Sequence, residues 1–259
     1  MNALYQLAWS DFGSFVLIFV RISVVFSLIP YFSSESMPRR VRAVIVFFLT
    51  MILLPVVAPF KNAELSLAAL IMLLVQDLII GVAIGLAVSI IFAGVQTAGQ
   101  FVGFQMGFAI VNVIDPITGV DAPVTANLFY LCAFLLFLAF GGDHLLIKAL
   151  VQSFALVPLD GSLPQSSFYM GMVRYAAGIF SIALKVAAPA IGILLLLNVA
   201  FGVMARAVPQ MNVFMMSFPV TITLGFIFVI ISFKLMPFFL EGSVKQAFDV
   251  IRTALQAYG

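Results

Sequence analysis

Four ionisable residues stand inside long apolar runs of this 259-residue sequence: Arg21, Asp77, Lys185 and Lys234. A charge at membrane depth is costly, so such side chains usually face protein or water rather than lipid. Asp77 could pair across helices with either Arg21 or Lys185, and the sequence does not choose between them. The four residues are therefore interhelical pairs or snorkelling side chains, or they line a polar conduit.

Residue types that support catalysis or metal binding are scarce. His144 is the only histidine and stands beside Asp143, which makes a poor metal site. The zincin H-E-x-x-H, the G-x-S-x-G elbow and the phosphate-binding glycine loop do not occur. Cys132 is the single cysteine, so it forms no intrachain disulfide or cysteine cluster and is expected to pack as a small apolar residue. The sequence predicts no enzyme, no cofactor and no metal site.

The composition is that of a chain placed in lipid or among apolar subunits. It is 64% hydrophobic and 8% charged, whereas soluble domains are about half apolar and about a quarter charged. The net charge of +2 comes without a basic stripe, which argues against nucleic-acid binding. The first apolar run is longer than a signal-peptide core and lacks an A-x-A-like site, so we expect it to be retained.

Apolar runs of membrane length predict an all-α, multi-helix hydrophobic membrane-type protein with kinked helices and helical hairpins. The run at 126–158 is interrupted at Gly141–His144, which predicts a hairpin or a bent helix. The cluster of Arg39, Arg40 and Arg42 should be cytoplasmic. The N-terminus is then outside, and six crossings return the C-terminal tail to the outside as well. Because the basic residues of that tail favour the cytoplasmic side, at least one segment is not a regular crossing. The six candidate segments are about 12–32, 41–60, 66–98, 126–158, 176–203 and 213–240.

Small residues recur at every fourth position of the third segment, where another backbone can approach closely. The contact is either within the chain or between subunits. The spacing continues in a second series toward a glycine-rich helix end. The first series is Gly81, Gly85, Ser89, Ala93 and Thr97, and the second is Gly99, Gly103 and Gly107.

An apolar but non-helical stretch follows that helix end. Pro116 disfavours the α region at Asp115, and Gly119 permits a turn. Because a surface loop is normally polar, this one is expected to be tucked into protein, for example as a re-entrant element.

A second break predicts a tight helical hairpin. Arg206 and Pro209 should end one helix, and Asn212 can cap the next. The methionines around this break fill a core or form a seal or subunit contact; they are Met204, Met211, Met215 and Met216.

The order of these features resembles the FliR family of flagellar export-gate subunits and its SctT-type virulence counterparts. The resemblance covers nearly the whole chain, and its most specific parts are Q-M-G-F and P-Q-M-N-V-F. It is carried by Arg21 followed by P-x-F-S-S at 30–34, P-x-x-x-R at 38–42, A-G-Q-F-V-G-F-Q-M-G-F at 98–108, D-P-I-T-G at 115–119, G-G-D-H-L-L at 141–146, S-F-x-x-x-P at 153–158 and R-A-V-P-Q-M-N-V-F at 206–214.

The resemblance implies a single non-enzymatic export-gate domain over residues 1–259, in the bacterial inner membrane within the flagellar basal body. It implies assembly with FliP and FliQ into a channel for unfolded flagellar subunits, with FlhB and FlhA as further partners and with membrane lipid around it. Such gate subunits pack largely above the bilayer plane. Alternatives are an SctT-type virulence gate subunit or a self-contained transporter with Arg21, Asp77 and Lys185 along a conduit.

The resemblance also implies a plug loop at about 106–120. Its candidate residues are Met106, Gly107, Phe108, Ile110, Val111, Val113, Ile114, Asp115, Pro116, Ile117 and Gly119. Candidates for helix packing or subunit contact are Gly81, Gly85, Ser89, Gly99, Gly103, Arg206, Pro209, Gln210, Met211, Asn212 and Phe214.

Overall fold

The structure, a computed structural model, describes residues 2–33, 37–57, 67–108, 123–159, 166–210 and 212–256. Within these ranges every regular element is a helix, which confirms the all-α prediction. In chain order the helices are α1 (Asn2–Leu28), α2 (Pro30–Ser33), α3 (Arg39–Leu53), α4 (Leu67–Gln105), α5 (Val124–Ala139), α6 (Gly142–Leu156), α7 (Ser166–Ala176), α8 (Ile179–Ala207) and α9 (Val213–Gln256).

Three helical stretches of the described chain are long and apolar enough to cross a membrane: Ala68–Gln105, Ser166–Ala207 and Met215–Gln256. Helices α5 and α6 reach that length only as a pair, which is bent by 68° at their junction. Helix α3 has 15 residues, fewer than the roughly 20 that a span needs. The six apolar segments of the sequence therefore do not become six straight crossings.

A glycine lies at the break between α5 and α6, whereas three prolines lie inside continuous helices. Gly141 adopts a left-handed φ of 67° between α5 and α6, a conformation that costs glycine little. This confirms the bent-helix alternative for the run at 126–158. Helix α8 continues through Pro189, and α9 continues through Pro219 and Pro237.

The chain divides into two compact units, each with its own core. Unit 1 comprises Met1–Ile90, Gly141–Ala177 and Val244–Gly259. Its fully buried side chains include Ile18 and Ile22 of α1, Ile84 of α4 and Leu150 of α6. Burial of these aliphatic groups removes apolar surface from water and holds the three helices together.

Unit 2 comprises Ile91–Phe140 and Gly178–Ser243. Aromatic pairs fill its core: the ring centroids of Phe92 and Phe137 lie 5.3 Å apart, and those of Phe129 and Phe233 lie 4.9 Å apart. Tilted and edge-to-face rings at such distances add to the stabilisation that area burial provides. These pairs join α5 to α4 on one side and to α9 on the other.

Candidate functional site

The end of α4 packs directly on the start of α5 in unit 2. A Cβ added at Gly99 would lie 2.6 Å from Ala126 Cα, and one at Gly103 would lie 2.7 Å from Pro123 Cβ. Thr125 Oγ1 donates a hydrogen bond of 2.8 Å to the Gly99 carbonyl. The second glycine series therefore serves close packing inside this chain. We call the residues 99–108, 123–126 and 218–226 the loop-base junction.

Helix α4 ends in a Schellman motif at Gly107. The Gly107 N–H donates to the Phe104 carbonyl at 3.1 Å, and the Phe108 N–H donates to the Gly103 carbonyl at 3.0 Å. Gly107 has φ +90°, the left-handed conformation that this motif requires. The carbonyls of Val102, Gly103 and Phe104 are thus bonded by Met106, Phe108 and Gly107, before residue 109.

Helix α9 forms the third side of the junction. Met106 is fully buried, and a Cβ added at Gly225 would lie 2.6 Å from Met106 Cγ. A Cβ at Gly107 would lie 2.8 Å from the ring of Phe218, and the Phe108 and Phe226 rings are 6.2 Å apart. The first three candidate plug residues are therefore packed into a helical base. The remaining candidates lie outside the described residues: Ile110, Val111, Val113, Ile114, Asp115, Pro116, Ile117 and Gly119.

The first three members of the first small-residue series, Gly81, Gly85 and Ser89, face α1 within unit 1. A Cβ at Gly81 would lie 2.9 Å from the Arg21 carbonyl oxygen, and one at Gly85 would lie 2.7 Å from Leu28 Cβ. The Ser89 hydroxyl donates to the carbonyls of Leu28 and Gly85. Of the two alternatives, the structure shows an intrachain contact for these three positions.

Arg21 and Asp77 form a buried ion pair in unit 1. Arg21 Nε donates to Asp77 Oδ1 at 2.7 Å, and Nη2 contacts the same oxygen. Arg21 also donates to Ser153 Oγ at 3.2 Å and to the Val157 carbonyl at 3.3 and 3.4 Å. Its guanidinium carbon lies 4.1 Å from the Phe154 ring centroid. Asp77 therefore takes Arg21 as its partner, and this cluster ties α1 and α4 to the end of α6.

The other two charges in the apolar runs have a different environment. Lys185 on α8 and Lys234 on α9 are both exposed. His144 lies 3.0 Å from Asp143 at an exposed turn, and no group of residues suited to a metal ion occurs in the described ranges. The described arrangement is thus one of closely packed helix ends.

Known bacterial export proteins are similar to this chain over most of its length. A family model described as bacterial export proteins, family 1, matches residues 12–247. The flagellar biosynthetic protein FliR of Bacillus subtilis (strain 168) is 31% identical over 262 residues, which cover 100% of this chain and 99% of the relative. The protein of the same name from Escherichia coli (strain K12) is 32% identical over 90% of this chain and 88% of its own length.

The chain belongs to the FliR family of bacterial export proteins. Membership of the FliR family places it in flagellar biosynthesis and in the flagellar protein-export apparatus. Its long apolar helices make it a membrane-associated member.

The turn between α8 and α9 carries the P-Q-M-N-V-F stretch by which the sequence resembled the FliR family. Arg206, Pro209 and Gln210 are exposed there. The Met215 N–H donates to Asn212 Oδ1 at 3.2 Å, which confirms Asn212 as the cap of α9. Met211 and the side chain of Phe214 lie outside what the structure describes. The contact of this turn with another subunit stays a prediction.

Sequence reasoning missed several residues of the loop-base junction and of the helices around it. Gly225 and Phe218 contact the end of α4 without a recognisable local motif. Gly94 lies outside the four-residue series, yet its Cβ would lie 2.9 Å from Ile182 Cγ2. Asn198 Nδ2 donates to Gln105 Oε1 at 3.0 Å. For Asn198 and Gln105, the sequence indicated only that an amide side chain in an apolar helix needs a hydrogen-bond partner.

Proposed function

We propose that this protein is a non-enzymatic subunit of the flagellar type III export gate. With FliP and FliQ it forms the channel for unfolded flagellar subunits, FlhB and FlhA are further partners, and residues 106–120 act as a plug. The whole chain, residues 1–259, works as one gate domain in the inner membrane within the basal body. FliR-family membership and membrane-length helices support this proposal.

The packing of the loop-base junction is the observation that carries the plug assignment. The described chain stops at Phe108, whose N–H donates to the Gly103 carbonyl, and resumes at Pro123, which lies against Gly103. Met106 on one side and Thr125 on the other are buried, so the two ends of the segment share one fixed base. A channel plug needs such a base, because only the segment between its ends has to move when the channel opens. The apolar sequence of the segment suits closure against other apolar walls.

Deleting residues 110–118 tests the plug. In reconstituted gate complexes, or in cells expressing them, the deletion should raise the leak of small ions, because the apolar closure is lost while the junction stays. Replacing Ile110, Val113 and Ile114 by serine keeps the length and should also raise the leak.

A matched control uses the polar residues of the same segment. Replacing Asn112, Thr118 and Asp121 by serine changes three side chains but leaves the apolar surface, so the gate should stay tight. A gate that stays as tight with the deletion as without it means that the segment is only a connection.

Copurification tests the gate assignment separately from the plug. A tagged chain should extract with FliP and FliQ as one complex from flagellated cells if it is a subunit of that gate. A lone, monodisperse chain that transports a solute would establish the transporter alternative instead.

A further inference from the structure

Helix α8 leaves the core of unit 2 after Leu194. Between Leu195 and Ala207 no residue of the helix is buried, and Val199 and Val203 are 66% and 64% exposed. Because no buried side chain fixes this second half of α8 in unit 2, its position depends on partly exposed contacts. The buried residues of α8 are Ala183, Val186, Ala187, Ala190 and Leu194.

One of these partly exposed contacts is a hydrogen bond to the last residue of α4. Asn198 Nδ2 donates to Gln105 Oε1 at 3.0 Å. Asn198 follows Leu194 by four residues, so the two lie on the same side of α8. Gln105 ends α4 and directly precedes Met106, the first residue of the proposed plug. The pair therefore joins the second half of α8 to the helix end from which the plug segment starts.

This hydrogen bond differs in kind from the packing contacts of the α4 end. Helix α5 lies against Gly103, and α9 lies against Met106. Apolar packing is non-directional, whereas a hydrogen bond requires both a short donor–acceptor distance and an aligned donor. Among the described residues, Asn198 is the only residue of another helix whose side chain hydrogen-bonds the last turn of α4, residues 102–105. The bond therefore restricts how that turn can rotate.

We propose that Gln105 and Asn198 are positioning residues for the plug. Their hydrogen bond holds the last turn of α4 in one orientation, and with it the direction in which the chain continues beyond Phe108. The inference rests on the proposed function of residues 106–120 and adds to it the two side chains that set the closed position. Apolar closure is sensitive to position, because a gap of about 0.5–1 Å already removes a quarter to a half of the attraction between two atoms.

The exposure of the pair suits positioning rather than holding the fold together. Gln105 is half-buried and Asn198 is exposed. Water can replace a neutral hydrogen bond at such a place, so the net contribution of the bond to folding is small. Loss of the bond should therefore alter where the end of α4 lies more than whether the chain is folded.

Ion leak through reconstituted gate complexes, measured together with thermal unfolding, tests this role. Gln105→Met keeps the side-chain length and removes the acceptor, and Asn198→Leu keeps the size and removes the donor. Each should raise the leak about twofold to tenfold, which is the change in population that loss of one neutral hydrogen bond produces. The melting temperature should stay within about 4 °C of the wild type. The double variant should leak no more than the leakier single variant, because both substitutions remove the same bond.

Two controls separate the hydrogen bond from the side chains that form it. Gln105→Glu keeps an acceptor for Asn198 and should leave the gate as tight as the wild type. Gln96→Met removes another half-buried glutamine of α4, whose side chain forms no hydrogen bond among the described residues. This variant should stay tight as well.

The results that would overturn the inference also distinguish it from the plug itself. If both single variants are tight while deletion of residues 110–118 leaks, the plug stands and the pair does not position it. If the deletion is tight too, there is no plug to position. If Gln105→Glu or Gln96→Met leaks as much as Gln105→Met, the hydrogen bond is not the cause. If the leaky variants melt more than about 4 °C below the wild type, the pair serves the fold instead.

Discussion

Removing Arg21 while keeping Asp77 should unfold this protein at a much lower temperature. Arg21 is fully buried and Asp77 is 1% exposed, so Arg21→Met leaves a carboxylate in an apolar interior without its counter-charge. Breaking a buried ion pair from one side costs about 3–5 kcal/mol. Ser153 adds little to this loss, because its hydroxyl still donates to the Leu150 carbonyl at 2.7 Å. Methionine keeps most of the side-chain length, so the cavity contribution is small.

The double variant Arg21→Met/Asp77→Leu separates the charge from the packing. Replacing both members of a buried pair by apolar residues is often neutral or stabilising, so the double variant should recover most of the lost stability. For a chain of this size each kcal/mol shifts the melting temperature by about 2–4 °C. The single variant should therefore melt about 6–20 °C below the wild type, and the double variant should lie within about 4 °C of it.

Helical circular dichroism during heating of the purified, detergent-solubilised chain measures these temperatures. Lys185→Met is the control, because it removes an exposed cation and should change stability by less than about 0.5 kcal/mol. A single variant as stable as the wild type, or a double variant less stable than the single, refutes the assignment of the pair as mutually dependent.

The loop-base junction and the α9 cap give three further expectations, measured by the same melting curves. Gly99→Ala should lower the melting temperature because the new methyl group would lie 2.6 Å from Ala126 Cα. Gly192→Ala is the control: nothing lies within 4 Å of its new methyl group, so the melting temperature should stay the same or rise. Equal effects of the two substitutions would contradict the close packing at Gly99. Gly107→Ala places a side chain at φ +90° and should cost about 1–2 kcal/mol; no loss would argue against the Schellman end. Asn212→Ala removes the bond to the Met215 N–H and should cost about 1 kcal/mol, with Asn212→Asp, which keeps an acceptor, as its control.

Much of the helical architecture could be predicted because it depends on local sequence. Gly141 and Gly142 interrupt an apolar run, and the structure places its bend there. Asn212 precedes an apolar run after Pro209, and it caps α9. Glycine, proline and asparagine act through backbone conformation and short-range hydrogen bonds, so their effect can be inferred without the fold.

Partners across helices could not be predicted in the same way. Asp77 had two candidate cations, and only the rotation and crossing of the helices place Arg21 within hydrogen-bonding distance. The spacing of Gly81 and Gly85 predicted a close contact with another helix. That this helix is α1 depends on how the helices cross, which the spacing does not specify. Counting charges at the ends of apolar runs failed for a related reason. It treats each run as a straight crossing, whereas α5 and α6 bend by 68°.

The Schellman end of α4 bears on how a plug could open at low cost. The last carbonyls of a helix must be bonded somewhere, and in many loops the following residues supply the donors. Here Gly107 and Phe108 already supply them, and Phe108 also packs near Phe226. Displacing the residues beyond Phe108 therefore leaves the hydrogen bonds to the Gly103 and Phe104 carbonyls intact. If residues 106–120 act as the proposed plug, the 39-residue helix α4 and the loop-base junction can stay fixed while the segment beyond Phe108 moves.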